Sequence, residues 1–227
     1  MAKKIYLSPS SQPANTYAAG NTNEQEECRK MARATAAALK RCGFDVVCAD
    51  YGTMESRVRE SNAVKADLHV CIHTNAFNEK VTGTRIMCND LQGAGYKASK
   101  AVFDALAPIT LGTSENVSAR PNLYEIRMSK APCVYVEVDF HDVKEIAKWL
   151  IEHTKEIGEA ICKGICNYYG VGYKEAAKPK EEKQPMYRVF DENDTQIAAF
   201  REIQYALNQA EEQLKSGKSV RLTVVYK

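Results

Sequence analysis

Four short stretches of this 227-residue chain gather side chains able to bind a metal or move a proton. His73 ends an apolar run (Leu68, Val70, Ile72), and Thr74 and Asn75 then turn the chain. Glu137 interrupts the apolar run "CVYVEVDF", and Glu24 opens a long helical segment. The polar stretch "SPSSQPANT", residues 8 to 16, follows Ile5, Tyr6 and Leu7. Imidazole nitrogen and carboxylate oxygen are the donors that a borderline divalent ion takes. In an open α/β sheet, sites form where strands end at their carboxyl edges, and three of these four stretches occupy or adjoin such ends.

Each residue also has a structural explanation. A lone histidine at a strand end packs or hydrogen-bonds more often than it binds a ligand. His69 shares a strand face with His73, but four residues of strand span ~13 Å, so the two do not hold one ion. His69 is therefore expected as a packed or hydrogen-bonded imidazole. Glu137 is costly to bury unless paired or metal-facing, yet on an alternating strand it could equally face water, as could Asp139. A first-turn Glu24 is expected from helix-dipole arguments alone.

Alternating strand and helix signals position these residues. "KIYL" reads as a strand, "NEQEECRKMARATAAALKRCG" as a long helix, "FDVVCAD" as a strand and "TMESRVRESNAV" as a short helix. "ADLHVCIHTNA" and "GTRIMCN" read as strands, "GAGYKASKAVFDALAPI" as a helix, and "LYEIRMS" and "APCVYVEVDF" as two more strands. The stretch from His141 to Gly170 keeps helical spacing at Ile146, Trp149, Leu150, Ile157, Ile161 and Ile165. This alternation predicts an α/β fold, a three-layer sandwich around a mostly parallel sheet, over residues 1–172. Residues 173–185 are charged and punctuated by proline, and read as a linker. Residues 186–227 read as a small strand-helix-strand module, short for independent stability.

A net charge of +2 gives no reason to expect nucleic acid as a partner. No apolar run approaches the ~18 residues of a membrane span, so membrane insertion is not expected. Nor does a run of signal-peptide length follow Lys3 and Lys4, so synthesis and retention in the cytosol are expected. The eight cysteines include no CxxC pair and mostly sit in apolar runs, which favours buried thiols over a disulfide framework or a cysteine zinc site.

In order and spacing, "SPSSQ", "NTNEQEE", "SNAVKADLHVCIHTNAF", "GTRIM" and "LYEIRMSKAPCVYVEVDFHD" resemble the zinc-dependent N-acetylmuramoyl-L-alanine amidases of bacterial autolysins and clostridial phage endolysins. The resemblance covers roughly residues 3 to 170. It implies a single zinc ion held by a histidine, a glutamate and a second histidine, with another glutamate for acid-base work. Glu24 matches the zinc-binding glutamate, His73 the second histidine and Glu137 the catalytic carboxylate. The first histidine has no counterpart, because "SPSSQ" stands where the family has a "DPGHGG"-like turn. Aligned on that turn, Ser11 takes the histidine's place and Gln12 the next. The amide oxygen of Gln12 is the better replacement ligand, since a neutral serine hydroxyl is a weak zinc donor. Ser11 and Asn75 are then candidates for substrate contact.

The implied reaction is zinc-assisted hydrolysis of the amide between N-acetylmuramic acid and L-alanine in peptidoglycan. It implies an enzyme that waits in the cytosol and reaches the wall after release. The missing histidine keeps two other readings open. One is a wall-binding protein that kept the fold and lost the metal, and the other a zinc peptidase acting on the stem peptide. The C-terminal module faintly resembles half of a SPOR-type repeat, which implies wall binding or a homodimer in which each chain supplies one half.

Overall fold

Strand and helix alternate through the first three quarters of the chain. The computed structural model describes residues 2–177 and 185–226. In order, the elements of the first part are β1 (Lys4–Pro9), α1 (Glu24–Arg41), β2 (Asp45–Cys48), α2 (Met54–Ala63), β3 (Leu68–Asn75) and β4 (Arg85–Cys88). They continue with α3 (Gly93–Leu106), β5 (Ser118–Ala119), α4 (Tyr124–Met128), β6 (Cys133–Phe140), α5 (Lys144–Glu152) and α6 (Thr154–Tyr169). The remainder forms β7 (Pro185–Phe190), β8 (Gln196–Phe200), α7 (Ile203–Lys215) and β9 (Arg221–Tyr226). Two compact units result, Met1–Ala176 and Ala177–Lys227.

The first unit holds a six-stranded sheet in the order β2-β1-β3-β6-β4-β5, parallel except where β4 meets β6. Side chains alternate between its two faces. Leu68, Val70 and Ile72 of β3 join Val134, Val136 and Val138 of β6 in the main core, beneath α1, α3 and α6. Each fully buried Val, Leu or Ile there stabilises the fold by about 1.5–3 kcal/mol relative to exposure. Gly158 and Gly164 let α6 lie close against its neighbours. A Cβ at Gly158 would come 2.6 Å from Ala34 Cβ, and one at Gly164 would come 2.5 Å from Val102 Cα.

The opposite face is unusually polar. It carries His69, Cys71 and His73 on β3, each buried, and is packed by α4. Here the structure departs from the sequence expectation, because "LYEIRMS" forms the short helix α4 rather than a strand. Arg127 N donates to Leu123 O at 3.0 Å and Ser129 N to Glu125 O at 3.2 Å, the four-residue spacing of a helix. The last helix of the unit is also two helices, α5 and α6, joined at His153 with φ −112° and ψ 22°.

In the C-terminal unit, three antiparallel strands stand in the order β8-β7-β9, and α7 packs against them. The stretch "TQIAAF", expected as the start of a helix, is β8. A tight turn makes the hairpin: Asp191 Oδ1 accepts from the backbone of Asn193 and Thr195, both at 2.9 Å, and Asp194 takes φ 64°. Of the linker expected at 173–185, residues 178–184 lie outside the described residues. Its first residues pack on the first unit, with Tyr173 donating to Glu159 at 2.6 Å and Lys174 N to Cys42 Sγ at 3.3 Å. No helix among the described residues is long and apolar enough to cross a membrane.

Candidate active site

β3 and β6 lie side by side, with His73 directly opposite Glu137 in the parallel register. Adjacent strands are about 4.8 Å apart, so imidazole and carboxylate rise from neighbouring positions on one face near the carboxyl ends. The same face carries Tyr135, whose ring stacks on His73 at 4.7 Å and fixes the imidazole plane.

Glu24 arrives from α1. Asn23 caps the helix, its Oδ1 accepting from Glu26 N at 3.0 Å, which sets Glu24 at the first helical position. The loop after β1 then clamps it. Glu24 N donates to Asn15 O at 2.9 Å, and Asn15 Nδ2 donates to Glu24 Oε2 at 2.6 Å. Glu24 Oε1 lies 2.8 Å from His73 Nδ1 and accepts more weakly from Thr74 N at 3.4 Å. Behind this pair, Thr74 Oγ1 bonds Tyr17 at 3.0 Å and His141 Nδ1 at 2.9 Å, while the rings of Tyr17 and His141 stack.

Charge separates the two carboxylates. Burial opposes the charged form of Glu24, but hydrogen bonds from His73, Asn15 and Ser10 outweigh it and hold the group below its ordinary value. Burial likewise opposes a charged His73, yet Glu24 and Glu137 raise it. Glu137 is pushed up to about 7, chiefly by burial and further by Glu24, with His73 opposing. Its Oε2 is buried without a hydrogen-bond partner among the described residues. Such a carboxylate is suited to take and return a proton near neutral pH.

Glu24, His73 and Glu137, named from sequence, are thus brought together. Gln12, expected as the third ligand, is exposed, and Asn15 Nδ2 donates to its Oε1 at 3.2 Å. That places Gln12 one residue removed from Glu24, with its oxygen engaged elsewhere. Ser11 is half-buried beside it, whereas Ser10, unremarked in the sequence, is fully buried and touches Glu24. Asn75 lines a cleft of about 550 Å³ with Phe77, Arg85, Met87, Arg120 and Phe140. Arg85 stands opposite Glu137 in the antiparallel β4–β6 register, so the cleft adjoins the carboxylate. Asn15 and Thr74 lay in stretches marked from the sequence but, like His141, were given no role there, since a polar loop or strand-end residue carries no pattern of its own.

Residues 10–167 match the Amidase_3 family of N-acetylmuramoyl-L-alanine amidases. The chain belongs to this amidase family. The amidase domain is also similar in fold to the catalytic domain of the amidase CwlV from Bacillus (Paenibacillus) polymyxa var. colistinus. That match has a TM-score of 0.68 at 19% identity, covering 75% of this chain and 99% of that one. The amidase AmiC2 of Nostoc punctiforme gives a TM-score of 0.66 at 21% identity, over 74% of this chain and 97% of that one. The catalytic domain of the CD27L endolysin targeting Clostridia difficile gives 0.61 at 22%, with the same coverages. No curated protein matches the chain in sequence.

The donors of the amidase site suit a zinc ion. A carboxylate oxygen and an imidazole nitrogen 2.8 Å apart, beside a buried carboxylate oxygen without a partner, form a set that accepts a cation. Glu24 and His73 fit as two of its ligands. Among the described residues, no third His, Cys, Asp or Glu donor completes a close set with them.

Proposed function

We propose that the protein hydrolyses the amide bond joining the lactyl group of N-acetylmuramic acid to L-alanine in peptidoglycan. The observation that carries this reading is the convergence of Glu24, His73 and Glu137, with Glu137 Oε2 buried and unpartnered. Glu24 and His73 hold zinc, which when bound supplies a more acidic water and a polarised carbonyl. Glu137 takes the proton of the attacking water and returns it to the leaving nitrogen of L-alanine. Asn15 and the Thr74 amide hold the Glu24 carboxylate in place, and Tyr135 keeps the His73 ring from turning. The cleft beside Glu137 offers Arg85 and Arg120 to the carboxylates of a stem peptide.

The protein works as a lysin or autolysin that is made in the cytosol and acts on the wall once released. Its C-terminal unit serves wall binding or pairing of two chains. The absent histidine favours one competitor, a wall-binding protein without activity. A peptidoglycan suspension separates the two. Zinc-loaded protein should clear the suspension and chelated protein should not. Unchanged turbidity with zinc bound and protein adsorbed to the wall would favour the competitor.

A further inference from the structure

Further down the polar face of the sheet is a second group of donors that wall hydrolysis does not use. His69 and Cys71 on β3, Cys133 on β6 and Glu125 on α4 are all buried. His69, Cys71 and Cys133 offer ligand atoms within 4.8 Å of one another. The two sulfurs are 3.9 Å apart. Zinc-sulfur bonds of about 2.3 Å at a tetrahedral angle put two thiolates ~3.8 Å apart. Glu125 Oε2 stands beside this set rather than in it, 2.7 Å from His69 Nε2 and 2.8 Å from Cys71 Sγ, as a hydrogen-bond partner.

The surroundings are those of a metal shell. Metal-bound histidines and carboxylates commonly have their remaining polar atom held by a neighbour. Here His69 Nδ1 is 2.9 Å from Ser61 Oγ, and Glu125 Oε1 accepts from Ser8 Oγ at 3.0 Å. Tyr6 stacks on His69 at 5.3 Å. Two thiolates and a neutral imidazole balance a divalent ion, and the neighbouring Glu125 carboxylate adds one negative charge. Arg57 is a buried cation with Nη2 unpartnered among the described residues, and its charge acts on Glu125 and Cys71. Cys133 also borders a cavity of about 330 Å³ with Ile126, Arg127, Ala131 and Pro132.

We propose that His69, Cys71 Sγ and Cys133 Sγ form a structural zinc site that ties β3 to β6, with Glu125 of α4 held against it. On binding, the two thiol protons pass to solvent, and His69 carries its proton on Nδ1, donating to Ser61. This site does not rest on the proposed amidase activity, and the Glu24–His73 pair contains no sulfur.

Cobalt(II) titration of the reduced, chelator-stripped full-length protein tests the assignment, because cobalt bound to thiolates gives a sulfur-to-metal charge-transfer band. The band should appear with tetrahedral visible absorption and be displaced by one equivalent of zinc. Cys133→Ser and Cys71→Ser should each remove at least half of it. Glu24→Ala should keep it, as should Cys162→Ser, which breaks the other sulfur cluster of Cys42, Cys162 and Cys166. Absence of the band in the reduced wild-type protein would overturn the proposal, a result independent of whether any variant folds. So would a band lost only in Cys162→Ser.

Discussion

Glu24 Oε1 lies 2.8 Å from His73 Nδ1, although the two residues are 49 positions apart in the chain and stand on a helix and a strand respectively. The contact joins the start of α1 to β3 and leaves Glu137, opposite His73, as a carboxylate with a buried unpartnered oxygen. Replacing Glu137 by Gln keeps the shape and removes the proton acceptor. The variant should retain zinc and its circular dichroism spectrum while losing roughly 10²–10⁴-fold in rate, the range for a general acid-base group. A loss below tenfold would remove Glu137 from that role.

Glu137 also ties stability to pH in metal-free protein. Its carboxyl is raised from 4.5 to about 7 in the folded chain. Between those values the folded state binds more protons than the unfolded state, so this group's contribution to stability is complete below about pH 4.5 and is lost as pH rises through about 7. Chelated Glu137→Gln should therefore gain in Tm over chelated wild type at pH 8 compared with pH 5. Equal differences at both pH values would contradict the burial argument.

The place of the absent histidine makes a separate prediction. Ser11 occupies the aligned position and is half-buried, while Gln12 is exposed and engaged by Asn15. Ser11→His should tighten zinc roughly tenfold, about 1.4 kcal/mol, in equilibrium dialysis against a competing chelator. Gln12→Ala should change the affinity by less than about threefold, under 1 kcal/mol. If Gln12→Ala strips the zinc, its amide oxygen is a ligand after all.

The unit Met1–Ala176 has its own core. Removing residues 178–227 should leave a chain whose Tm lies within about 4 °C of the amidase transition in the full protein, a change of about 1 kcal/mol or less. In the C-terminal unit, α7 exposes Ile203, Tyr205, Leu207 and Leu214. If these pair two chains, light scattering should give twice the chain mass for the full protein and a monomer for the truncated one. A full-length monomer would end the dimer reading.

The mostly parallel sheet was legible in the alternation of strands and helices, and His73 and Glu137 stood out because they interrupt apolar runs. Glu24 was placed by its match to a known motif rather than by its pattern. The helix α4 was not legible. At five residues it is too short to show a helical period, and "LYEIRM" alternates as a strand would. What makes it a helix is tertiary, the burial of Glu125 against His69, 56 positions away. The strand β8 was hidden because "TQIAAF" runs directly into the helical stretch after it and was read as its beginning. His69 was expected as a hydrogen-bonded imidazole and is one, but its partners Ser61 and Glu125 have no shared spacing that a sequence would show.

The central claim is the bond that is cut, and labelling the new amino termini of digested peptidoglycan tests it most directly. Zinc-loaded protein acting on purified walls should release amino-terminal L-alanine in step with turbidity loss, with no new reducing sugar ends. The Glu137→Gln protein should release it roughly 10²–10⁴-fold more slowly. If another amino-terminal residue, or reducing ends, rises instead, the bond joining muramic acid to L-alanine is not the substrate and the assignment of Glu137 to its hydrolysis fails.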